Sequence, residues 1–177
     1  MKLVNPNFKS IVEELRAKVA AAKDPSQTLA TVRADAKLLG QQYQEVKVKD
    51  FVIACDEPIP SGGTDKGPTP LDFFAASIGF CENVMFTRQA ALRGLEFDSL
   101  ETSVRGHWDR KGQFEIDGAN PSFKDMTVET RVTTKSPVDL VAEVARTAHR
   151  TCPMHATIVK AMPVTDKLIV NGREVSL

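Results

Sequence analysis

The sequence predicts an α+β fold in which mostly antiparallel sheets pack on one long, buried central helix. Three observations carry this reading. Residues 69–94, TPLDFFAASIGFCENVMFTRQAALRG, form a helix marked at both ends. Shorter segments with β-type alternation are grouped in pairs before and after it, with turn residues between them. The strands come in such neighbouring pairs rather than alternating singly with helices, which favours antiparallel pairing. At 177 residues and 42% hydrophobic residues the chain suits one domain, residues 1–177, with an ordinary core.

The elements follow in order. Residues 6–23 carry Phe8, Ile11, Val12, Leu15 and Val19 at helical spacing, an amphipathic helix that ends at Lys23-Asp24-Pro25-Ser26. Residues 27–38 and 43–55 read as two strands joined by a hairpin at Gly40-Gln41, with a slip in the alternation near Lys49-Asp50. Residues 56–70, DEPIPSGGTDKGPTP, are a Pro- and Gly-rich loop. It connects a sheet edge to the long helix or shapes a pocket at that helix's start. It is not a phosphate-binding Walker loop, because Lys66 precedes Gly67.

In the long helix, Thr69 is the N-cap, Pro70 the first helical residue, Asp72 the capping-box partner and Gly94 the left-handed stop. Phe74, Ile78, Cys81, Met85 and Leu92 share one face, while Phe73, Ala76, Phe80 and Val84 cover another. Such a helix is buried inside a domain, and Ser77, Glu82 and Arg88 exclude a membrane span. Residues 95–109 and 124–134 read as strands flanking a polar hairpin extension. Ser136-Pro137-Val138-Asp139 repeats the cap logic of the long helix, and the helix that follows is broken at Cys152-Pro153. A short helix restarts there, and residues 163–175 read as strands around a tight turn at Asn171-Gly172.

Composition narrows the function. Lys+Arg and Asp+Glu both number 23, so no net field points to nucleic acid or an anionic membrane. The segment MKLVNPNFKS has no apolar signal core, and three cysteines do not make a disulfide framework. A cytoplasmic location is expected, where a cysteine is structural, catalytic or metal-binding. Cys55 ends an apolar strand and reads as a small buried hydrophobe. Cys152 sits at or beside a helix N-cap, which favours a thiolate; the other reading is a plain buried cysteine at a helix junction. Cys81 belongs to the core unless a cation reaches it, since burial among apolar groups makes a thiol inert. His149, Cys152 and His155 are spaced HxxCxxH, but the intervening proline breaks the register that a zinc site would need. No metal or organic cofactor is expected.

These residues carry a resemblance. GGTDKGPTPLDFFAASIGFC, with Cys152 in RTCPMHATI 71 residues after Cys81, resembles the OsmC/Ohr family of osmotically inducible and organic hydroperoxide resistance proteins. The likeness runs from about residue 27 to the end and leaves the N-terminal helix at 6–23 outside. It implies the OsmC-like fold and an intertwined homodimer with active sites at the subunit interface. It also implies a thiol-dependent peroxidase in which Cys81 is the peroxidatic cysteine and Cys152 the resolving one. An organic hydroperoxide would be the substrate and an external dithiol the reductant. In the organic hydroperoxide resistance branch a glutamate follows the proline and pairs with an arginine. Here Leu71 stands at that position, so the chain is closer to the less characterised OsmC-like branch. Arg33, the arginine of the N-terminal strands, is the candidate activating cation. Phe80, Met85 and Leu71 are the candidate substrate contacts. The alternative is a non-enzymatic stress-related or small-molecule-binding protein on the same fold. A cysteine hydrolase lacks an ordered Cys-His-Asp set.

Overall fold

The computed structural model describes residues 3–160, 168–170 and 173–175. Its centre is helix α2 (Pro70–Arg93), whose ends lie where its sequence places them. The Asp72 N–H donates to Thr69 Oγ1 at 3.3 Å, and Asp72 Oδ2 accepts from the Thr69 N–H at 2.9 Å and hydroxyl at 2.7 Å. This is the capping box, and Gly94 closes the other end at φ 69°.

Four elements pack against α2. Helix α1 (Phe8–Ala20) lies along it and buries Val12. Strands β4 (Ser99–Trp108) and β5 (Phe123–Thr133) form an antiparallel ribbon, with β4 against α2. Thr102 Oγ1 donates to Asn83 Oδ1 across that contact at 2.7 Å. Helix α4 (Val138–Thr151) packs on the second half of α2. There Phe86, Ala90, Leu95, Phe97, Val144 and Ala148 form the core, with Phe86 and Phe97 edge to face at 5.6 Å. Helix α5 (Pro153–Ile158) follows α4 directly and touches both α2 and α4.

The N-terminal sheet departs from the expected two strands. It is a three-stranded meander of β1 (Asp35–Gly40), β2 (Tyr43–Val48) and β3 (Phe51–Cys55). The slip at Lys49-Asp50 is a second tight turn, with Lys49 at φ 54°. Residues 29–34 pair with nothing in the sheet, so β1 starts eight residues later than expected. Leu38, Leu39, Phe51 and Val52 of this sheet are exposed. The polar stretch after β4 holds a short helix, α3 (Arg110–Gln113), rather than a plain hairpin extension. Ser136 does not cap α4. Pro137 occupies the N-cap, and the Ser136 hydroxyl donates to the Glu96 carbonyl at 3.3 Å. In the tail, β6 (Leu168–Val170) and β7 (Arg173–Val175) pair antiparallel, while the expected turn at Asn171-Gly172 lies outside the described residues.

The loop between β3 and α2 is organised by Asp56, which is buried. Its carboxylate accepts from the Thr64 hydroxyl at 2.6 Å and from the N–H groups of Glu57, Thr64 and Lys66 at 2.8–3.2 Å. Burial pushes this carboxyl up, but the hydrogen bonds outweigh it and hold the group below the usual carboxylate range. The loop folds back so tightly that a Cβ on Gly63 would lie 1.8 Å from the Glu57 carbonyl oxygen. Gly63→Ala is therefore expected to destabilise the protein by about 1–3 kcal/mol, the usual range for forced overpacking, as read by urea unfolding.

Candidate active site

Cys81 lies midway along α2 and is partly accessible. Cys152 ends α4 and caps α5, and it is fully buried. The fold makes these two thiols neighbours, with the Cys81 thiol acting on that of Cys152, although 71 residues separate them in sequence. All three cysteines are free. Cys152 Sγ accepts the His155 backbone N–H at 3.4 Å, as a capping side chain does. Even so, the Cys152 thiol is pushed up to about 11. Burial is the largest cause, and the neighbouring Cys81 thiol and Glu82 carboxylate add to it against the His155 N–H. Of the two readings open for Cys152, a buried thiol prevails over a dipole-stabilised thiolate, because desolvation exceeds what one amide donor supplies.

Glu82 follows Cys81 and is 2% exposed. Its Oε1 lies 2.9 Å from His155 Nδ1, and its Oε2 lies 3.6 Å from His149 Nε2. The two imidazole rings are stacked at 5.1 Å and 9°. Sequence reasoning registered Glu82 only as a break in an apolar helix and the histidines only as a weak metal pattern. The signal available was their placement: a charged residue next to Cys81, and imidazoles three residues either side of Cys152. Among the described residues no group of three or more His, Cys, Asp or Glu side chains is arranged to hold a metal ion.

The other candidate residues are spread out. Within one chain Arg33 is paired with its neighbour Asp35: its guanidinium bonds that carboxylate at 2.9 Å, and its side chain is 80% exposed. Phe80, beside Cys81, is 70% exposed. Leu71 is also exposed, but it sits ten residues before Cys81, about 15 Å along the helix axis. Met85 packs against the core and lines the seam between α1 and α2 with Val12, Leu15 and Leu92. Cys55, at the end of β3, is buried; burial raises its thiol, and the carboxylates of Glu57, Asp56 and Asp72 add to the effect.

A profile of OsmC-like proteins matches residues 63–166, more than half of the chain. The chain belongs to the OsmC-like family. Solved structures of other members share the fold. An OsmC-like protein from Mycoplasma pneumoniae is 16% identical, with a TM-score of 0.65 over 73% of this chain and 88% of its own. An organic hydroperoxide resistance protein from Elizabethkingia anophelis is 16% identical, with a TM-score of 0.57 over 73% and 89%. An organic hydroperoxide resistance protein OsmC from Legionella pneumophila is 17% identical, with a TM-score of 0.55 over 72% and 90%. Comparison with curated proteins gives no match. No helix among the described residues of this OsmC-like chain is long and apolar enough to cross a membrane.

The raised Cys152 thiol has a pH consequence. Its folded value lies above its ordinary value of 9.0, so the folded state holds the proton longer than the unfolded chain does. Stability is intact below about pH 9 and falls as pH rises towards 11. In a Cys55→Ser/Cys81→Ser variant, thiolate absorbance should therefore rise with a midpoint well above 9, and melting temperature should decline over the same window. A midpoint at or below 9 would contradict the assignment.

Proposed function

We propose that this OsmC-like protein is a thiol-dependent peroxidase that reduces organic hydroperoxides. The observation that carries the reading is the asymmetry of the two meeting cysteines: Cys81 is reachable, whereas Cys152 is enclosed and protonated at neutral pH. Attack on a peroxide needs an accessible sulfur, which assigns the first step to Cys81. The Cys81 thiolate attacks the terminal oxygen of ROOH. The O–O bond breaks, ROH leaves after taking up a proton, and Cys81 becomes a sulfenic acid. The Cys152 sulfur then forms the S–S bond as the S–O bond breaks, and water carries away the thiol proton. An external dithiol returns both cysteines to thiols by exchange. The exposed Phe80 ring next to Cys81 favours an apolar R group over a small polar peroxide. A reducing compartment such as the cytoplasm supplies the dithiol.

In this reading the protein works as a homodimer. The exposed apolar side chains of the N-terminal sheet, with Phe80 and Val84 of α2, need a cover. A second copy provides one and brings Arg33 of its N-terminal segment towards Cys81. The expected interface is of the obligate class, above roughly 2,000 Å².

One equivalent of cumene hydroperoxide should remove two thiols per chain and link Cys81 to Cys152, with Cys55 left free in peptide maps. Cys81→Ser should abolish the reaction. A Cys55 linkage, or no loss of thiols, would remove the peroxidase reading. Light scattering at micromolar concentration should give twice the chain mass. Arg33→Ala should slow oxidation of Cys81 at least about tenfold, the scale of one lost charge contact. An unchanged rate would take Arg33 out of the site.

A further inference from the structure

Glu82 is a charged group almost wholly out of water, on a helix whose neighbouring buried positions are Ile78, Gly79, Phe86 and Ala90. A buried carboxylate and its partners are a poor source of stability, because desolvation cancels most of the attraction. A role in readying Cys152 as a nucleophile also has the wrong sign, since the carboxylate disfavours the thiolate beside it. What the carboxylate does is tie. Helix α5 is six residues long and buries no side chain of its own. So short a helix does not hold itself in place. Its first turn carries the His155 N–H that touches Cys152 Sγ, and the His155 ring is gripped by Glu82 from α2 at 2.9 Å. His149, at the end of α4, lies against the other oxygen of the same carboxylate. Glu82 thus straddles the α4–α5 break from the residue next to Cys81. The titratable side chains that meet here are Cys81 and Glu82 of α2, His149 of α4, and Cys152 and His155 at the start of α5.

We infer that Glu82 is a positioning residue for the Cys81–Cys152 disulfide: by holding the His155 ring it fixes the start of α5 and keeps Cys152 Sγ in line with Cys81 Sγ. The inference rests on the cysteine pairing proposed above. Glu82 takes no part in the electron balance. In the peroxide route two thiol-level sulfurs lose two electrons to ROOH, giving the disulfide, ROH and water. With oxidised glutathione the same disulfide forms by two exchanges that release two reduced glutathiones.

The test compares wild type with Glu82→Gln and Glu82→Leu, on full-length protein with Cys55→Ser. Gln keeps an oxygen that can accept from His155 Nδ1; Leu fills the space without one, and the two imidazoles it leaves are partly exposed, so water can take the place of the carboxylate. In one arm, cumene hydroperoxide is pulsed, the Cys81 sulfenate is trapped with dimedone, and disulfide is counted by quench. In the other arm, the proteins equilibrate in glutathione buffers, and the dithiol–disulfide ratio gives the effective concentration of one sulfur at the other without any peroxide. Glu82→Leu should lower that effective concentration at least about tenfold and accumulate trapped sulfenate, as misplacement of reacting atoms does. Its rate of Cys81 oxidation should stay within about twofold of wild type, and Glu82→Gln should recover both readouts to within about threefold. Glu82→Leu with the wild-type effective concentration overturns the inference. So does Glu82→Gln as impaired as Glu82→Leu, or an equal fall in the oxidation and disulfide steps. Wild type inert to the peroxide, with the glutathione ratios moving as expected, removes the peroxidase reading and upholds the role of Glu82. Wild type forming no Cys81–Cys152 bond in either arm overturns both.

Discussion

The contact between α2 and α4 is the constraint on which the other elements depend. Ala90 and Ala148 are both fully buried in it, and side chains this small let two helices approach closely. Around them Phe86, Val144, Leu95 and Phe97 fill the core. Arg93 fastens the same pair from the rim, with Nε on Glu143 at 2.8 Å and Nη2 near Thr147 Oγ1 at 3.5 Å. Because the packing fixes the axis of α4, it also fixes where α4 stops. The stop is set by Pro153, which takes Cys152 out of helical geometry. The chain therefore delivers a buried sulfur to the middle of α2, where another sulfur waits.

The polar groups of this region sit on the buried face of α2, with Glu82 one turn before Phe86 in the same row as Ile78 and Ala90. Asn83 meets Thr102 of β4, and Glu82 meets the imidazoles of α4 and α5. Ser77 and Arg88 instead bond within α2, to the Phe74 carbonyl and Met85 Sδ. Glu82 and Asn83 are thus the points of attachment that set the rotation of α2 about its own axis. That rotation leaves Phe80 and Val84 outward and Ile78 and Phe86 inward.

How far the sequence told the story depends on whether a feature is local. The caps of α2 involve residues three apart, so Thr69, Asp72 and Gly94 were legible end to end. The break before Pro153 is equally local. The N-terminal sheet was misread because its second turn uses Lys49-Asp50, with no Gly or Pro as a marker, and because residues 29–34 alternate plausibly without pairing. Ser136-Pro137 imitated a cap whose hydroxyl bonds to Glu96 instead. That Cys81 and Cys152 act together is an implication of the family resemblance, and their spacing alone does not carry it. The Glu82–His149–His155 cluster is assembled by three helices, so no window of sequence contains it. Arg33 was chosen by elimination among arginines, a method blind to Asp35, which holds it within one chain.

The separation of the two sulfurs along the chain affects more than chemistry. A bond between Cys81 and Cys152 would close a ring containing the second half of α2, the β4–β5 ribbon and all of α4, which is nearly the whole aromatic core. In the chain-entropy picture, a ring of this length restricts the unfolded ensemble by about 4 kcal/mol. That is a large share of the roughly 5–15 kcal/mol by which a typical domain is stable. The oxidised chain would then be the one that resists unfolding and proteolysis, and the reduced chain the one that turns over. Lifetime would become a record of how recently the thiols were oxidised.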